Sequence, residues 1–123
     1  MRRPQVIVFA RDERLARSLD GLIAEKKWVL RESRQIDACI RQLSGSGPTV
    51  LVVSLHEEHE AAWALLAQVA EAYPSIHAVA VGELDSSATL RDIAWDLGVD
   101  FALFPPIPTT QLPEVVTRLM DAP

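Results

Sequence analysis

The chain of 123 residues has room for one domain, and its 49% hydrophobic and 24% charged side chains describe an ordinary globule with a real core. That composition excludes a disordered tail, a collagen-like fibre and a disulfide-stapled miniprotein. Seventeen acidic against twelve basic side chains leave a net charge of −5, which argues against non-specific nucleic-acid binding because that rests on Lys and Arg contacts to phosphate.

In chain order, short β-branched runs alternate with longer segments of helical spacing. Val6-Ile7-Val8-Phe9 predicts a first strand, and Leu15, Leu19, Leu22 and Ile23 a first helix stripe. Trp28-Val29-Leu30 predicts a weaker second strand, followed by a stripe at Ile36, Ile40 and Leu43. Gly45-Ser46-Gly47-Pro48 breaks the chain before a third strand at Thr49-Val50-Leu51-Val52-Val53. Trp63, Leu66, Val69 and Ala70 mark a third helix, ended by Tyr73-Pro74-Ser75. The fourth strand is expected at residues 76–81. Asp85-Ser86-Ser87 offers N-caps for a fourth helix carrying Leu90, Ile93, Ala94 and Leu97, with Gly98 as its left-handed C-cap. Phe101-Ala102-Leu103-Phe104 predicts the fifth strand. Thr109-Thr110 caps a fifth helix with Leu112, Val115, Val116 and Leu119.

Strands apolar on both faces, alternating with helices, predict a parallel sheet covered on each side. Five such units fill residues 1–123 as a single domain. The expected fold class is α/β: a (βα)5 doubly wound three-layer sandwich with a five-stranded parallel sheet in the order 2-1-3-4-5. Function in that arrangement sits at the carboxyl ends of the strands: Ala10-Arg11-Asp12, Ser54-Leu55-His56, Gly82-Glu83 and Phe104-Pro105-Pro106.

The sequence resembles a response-regulator receiver domain along essentially its whole length. The resemblance is carried by VIVFARDERLARSL, PTVLVVSL, YPSIHAVAVGE and GVDFALFPPIP, the last standing where the family reads something like GADDYLTKPF. It implies phosphotransfer chemistry at five positions. Two acids after the first strand would hold Mg²⁺, an Asp ending the third strand would take the phosphoryl group, and a Thr or Ser and a Lys would contact its oxygens. These positions fall on Ala10, Arg11, Ser54, Gly82 and Pro105, and all five are replaced. Sliding the first motif to Asp12-Glu13 would move Leu15 and Leu19 off the sheet, and no Asp lies between Asp37 and Asp85. The implied reading is a pseudoreceiver without phosphorylation, Mg²⁺ or other cofactor: no enzyme, but a protein-interaction or dimerisation module. It would serve as the N-terminal regulatory part of a longer signalling protein or transcription regulator. The resemblance puts the interface on the fourth-helix, fifth-strand and fifth-helix face, with Trp95, Phe104 and Ile107 as candidates. An unconventional but phosphorylatable receiver is one alternative. A small flavodoxin-like ligand-binding protein is another, although the Ala10-Arg11-Asp12-Glu13 turn lacks a phosphate-cradling glycine.

Other features have plainer readings. Ser54 as a phosphosite needs an activating base, so a small polar residue at a strand end is favoured. His56-Glu57-Glu58-His59-Glu60 has metal-binding residue types, but an acidic first helical turn explains it and no metal is expected. Pro105-Pro106-Ile107-Pro108 reads as a rigid loop, compatible with a cis bond before Pro106. Trp28 is expected to close the core and Trp63 to be half-buried. Residues 1–50 carry ten Lys/Arg and six Asp/Glu, and 51–123 carry two and eleven, an asymmetry suited to steering a partner. The lone Cys39 permits no internal disulfide and suggests a reducing compartment. The apolar run at 6–10 is too short for a signal peptide and none reaches the ~20 residues of a membrane span. A cytoplasmic protein with a protein partner or a second copy, no membrane and no direct nucleic-acid contact is expected.

Overall fold

The β-branched runs become strands and the helical stripes become helices in the structure, a computed structural model that describes residues 3–11, 13–43, 47–55, 60–82, 88–104 and 109–121. The strands are β1 (Gln5–Phe9), β2 (Val29–Ser33), β3 (Thr49–Ser54), β4 (His77–Val81) and β5 (Phe101–Leu103). All pair in parallel, in the order β2-β1-β3-β4-β5, as expected. Around them lie α1 (Arg14–Ser18), α2 (Asp20–Lys26), α3 (Ile36–Leu43), α4 (Glu60–Ala72), α5 (Ala88–Asp96) and α6 (Leu112–Asp121), the last entered through a 3₁₀ turn at Thr109–Gln111.

Strand residues alternate between two cores. Ile7, Phe9, Leu51, Val53, Ala78, Ala80 and Ala102 face α3, α4 and α5, where Cys39, Leu65, Leu66, Val69, Leu90 and Ala94 are buried. Val6, Val8, Val50, Val52, Val79, Val81 and Leu103 face α1, α2 and α6, where Ala16, Leu19, Leu112, Val115 and Val116 are buried. Both faces of the sheet are therefore covered, which is why the central strands read as unbroken apolar runs.

The first expected helix is two. Leu19 is a turn residue whose N–H donates to the Ala16 carbonyl at 3.0 Å, and the Ser18 hydroxyl donates to Leu15 O at 2.6 Å, tightening the turn. The stripe survives the break, because Leu19 is fully buried and Leu22 and Ile23 pack against the same core. Gly98 has φ 91°, the left-handed cap expected of it. Ile93 departs from expectation, being 39% exposed. α5 packs on the edge strand β5, and among its described side chains Leu90 and Ala94 are the buried ones. Trp28 and Trp63 are half-buried against the two cores. The expected caps at Asp85, Ser86 and Ser87 lie outside the described residues.

At the amino end of the sheet, Gln5 is buried at the start of a central strand. Its Nε2 donates to Thr49 Oγ1 at 3.1 Å and to Gln42 O at 3.3 Å, and its Oε1 accepts from Arg31 Nε at 3.2 Å. The buried amide is thus satisfied at both ends. Among the described residues no helix is long and apolar enough to cross a membrane.

Candidate functional site: the carboxyl edge of the sheet

Strand register places the replaced positions side by side. Phe9 is level with Val53, so Ala10 lies level with Ser54, which pairs with Val81. Leu103 also pairs with Val81. The next row holds Arg11, Leu55, Gly82 and Phe104. Two backbone bonds knit this row to the sheet: Leu55 N–H to Val81 O at 2.9 Å and Gly82 N–H to Leu103 O at 2.9 Å. The sheet therefore brings Ala10, Arg11, Ser54 and Gly82 to one edge, as the doubly wound order requires. Pro105 and Ile107 lie outside the described residues, as do Asp12 and the 56–59 and 83–87 segments with their ionisable side chains.

The chemistry of the row is sparse. Ala10 is 7% exposed and offers a methyl group to the α1/α2/α6 core. Arg11 is exposed and cationic. Ser54 is nearly buried at the end of β3. Oxygen-loving divalent cations are held by carboxylates. The strand-end side chains (methyl, guanidinium, hydroxyl, isobutyl and phenyl) offer no carboxylate for Mg²⁺, and Glu13, the described acid that follows β1, pairs with Arg17 at 2.7 Å. Among the described residues, no group of three or more His, Cys, Asp or Glu is placed to hold a metal ion.

Phe104, expected on a partner face, is instead core: it is 2% exposed and belongs to the α3/α4/α5 cluster. Leaving β5, it falls on the same side of the sheet as Ala102, and its ring lies over Gly82. A β-carbon built on Gly82 would fall inside the van der Waals envelope of Phe104 Cδ2, Cε2 and Cγ, the last at 2.9 Å. Nothing in the sequence pattern alone links the two residues. The signal that joins them is register, since Leu103 opposite Val81 makes Phe104 the neighbour of Gly82.

Trp95 does lie on the surface, 46% exposed, with its ring edge-to-face against Phe101 at a centroid distance of 6.3 Å and an angle of 63°. At the opposite end of the sheet, a cavity of about 190 Å³ opens among Leu66, Val69, Tyr73, Ile76, Leu97 and Asp100. It is smaller than the roughly 300–1,000 Å³ of small-molecule sites.

No protein-family model matches the chain, and no curated protein matches it by sequence. Solved structures do. A response regulator from Thermotoga maritima superposes with a TM-score of 0.77 at 13% identity, over 98% of this chain and 100% of that one. The signal receiver domain of an HD domain-containing protein from Pseudomonas fluorescens Pf-5 gives 0.77 at 19% identity, over 98% and 96%. A CheY-like protein, tadZ, from Pseudomonas aeruginosa PAO1 gives 0.75 at 17%, over 94% and 98%. Strand order, layer composition and these superpositions agree: the chain has the fold of response-regulator receiver domains.

Proposed function

We propose that this chain is a pseudoreceiver: a signalling module that binds protein without being phosphorylated. The observation that carries the reading is the strand-end row itself. The positions where the receiver resemblance requires two metal-binding acids, a nucleophilic Asp and a hydroxyl hold Ala10, Arg11, Ser54 and Gly82 on a receiver backbone. Arg11 places a cation where the resemblance calls for a carboxylate, opposing Mg²⁺ by like-charge repulsion.

A fold kept without its acceptor chemistry is suited to recognition. The α5–β5–α6 face carries the exposed Trp95 beside a short edge strand, and aromatic residues are favoured anchors at protein interfaces. A partner protein or a second copy on this face is the role assigned to it, with the domain regulating whatever it is joined to. The test is an Mg²⁺ titration followed by backbone amide shifts. The reading expects no saturable shift at Ala10, Arg11, Ser54 and Gly82. A saturable shift confined to those amides overturns it.

A further inference from the structure

We infer that Phe104 is a steric gate that closes the β4–β5 half of the carboxyl edge and fixes position 82 as glycine. The inference deepens the pseudoreceiver reading and rests on it only in taking the carboxyl edge as the functional one. Glycine is used elsewhere in the chain for left-handed backbone, at Gly47 (φ 120°) and Gly98 (φ 91°). Gly82 is not in that region, so the close approach of another side chain accounts for it.

That side chain cannot readily withdraw. Phe104 is 2% exposed, and its ring shares a buried cluster with Leu55, Ala80, Leu90 and Ala94. The obstruction includes Cγ, the ring atom nearest the backbone, so swinging only the far end of the ring would not relieve it. Packed interiors respond to added carbon by displacement of neighbours rather than by compression.

With the ring in place, position 82 itself presents no hydroxyl, amine or carboxylate to this edge. The glycine at the replaced position 82 and the buried phenylalanine at 104 are then one structural event. Among the described strand-end residues, the β1–β3 half, at Ala10, Arg11 and Ser54, is left to meet a ligand or partner. Any functional side chain engineered at position 82 requires a smaller residue at 104 first.

A double-mutant cycle tests this, read as thermal midpoints of the full chain. Gly82→Ala is expected to lower the midpoint by roughly 5–15 °C in the natural background. In a Phe104→Ala background, the same substitution is expected to cost nothing or to raise the midpoint. If Gly82→Ala alone does not fold while the double variant does, the gate is supported. If Gly82→Ala costs as much in the Phe104→Ala background as in the natural one, the gate is wrong. It is equally wrong if the double variant fails to fold where Phe104→Ala folds. Phe104→Leu replaces the alanine background if Phe104→Ala itself does not fold. The cycle uses no phosphodonor or metal, so its failure is separate from failure of the pseudoreceiver reading.

Discussion

Asp100 and Ala78 clamp each other across the start of the β4–β5 pairing. The Asp100 N–H donates to the Ala78 carbonyl at 2.7 Å, and Asp100 Oδ2 accepts the Ala78 N–H at 2.8 Å. The other carboxylate oxygen lies 3.5 Å from His77 Nδ1. β5 is only three residues long and sits at the sheet edge, so this clamp fixes where its pairing begins.

Asp100→Ala leaves the buried Ala78 N–H without its acceptor and is expected to destabilise the fold by about 1–3 kcal/mol. Asp100→Asn keeps an oxygen in place and is expected to cost less. Urea unfolding of both variants checks this, and equal losses would mean that the clamp is not a hydrogen-bonding one.

Cys39 is fully buried in the α3/α4/α5 core, and that burial pushes its thiol up to about 11 from an ordinary value of 9.0. The folded chain then holds a proton that the unfolded chain releases, so the thiol's contribution is complete below pH 9 and is lost as pH rises toward 11. The size is about 2–3 kcal/mol. Denaturant unfolding from pH 8 upward should therefore fall more steeply for the natural chain than for Cys39→Ala, whatever the offset between them. Parallel pH profiles would contradict the assignment.

Trp95 is half-exposed and is held by its edge-to-face contact with Phe101, an arrangement worth about 0.5–1.5 kcal/mol. Trp95→Asp is expected to cost only a few degrees of thermal midpoint while abolishing self-association, measured by sedimentation over a range of concentrations. A natural chain that stays monomeric throughout contradicts the second-copy form of the interface, leaving a different protein as the partner.

Much of the fold is legible in the sequence because parallel strands covered on both faces leave runs such as Val50-Leu51-Val52-Val53 with no polar interruption. Gly98 likewise marks its helix end by conformation alone. The break at Leu19 is less visible, since the apolar stripe continues through it while the Leu19 N–H turns to the Ala16 carbonyl. Ile93 escapes a sequence reading because helical spacing cannot report how near a helix lies to the edge of its sheet. Phe104 escapes it for a related reason. An apolar residue at a strand end reads equally as surface anchor or plug until strand register puts it beside Gly82.

On the pseudoreceiver reading, this receiver fold has no phosphoacceptor at its carboxyl edge. Incubating the purified chain with acetyl phosphate and Mg²⁺, then measuring its intact mass, tests that most directly. The unmodified mass is expected at every time point. A stoichiometric gain of one phosphoryl group, stable in acid and lost in base as an acyl phosphate would be, contradicts it.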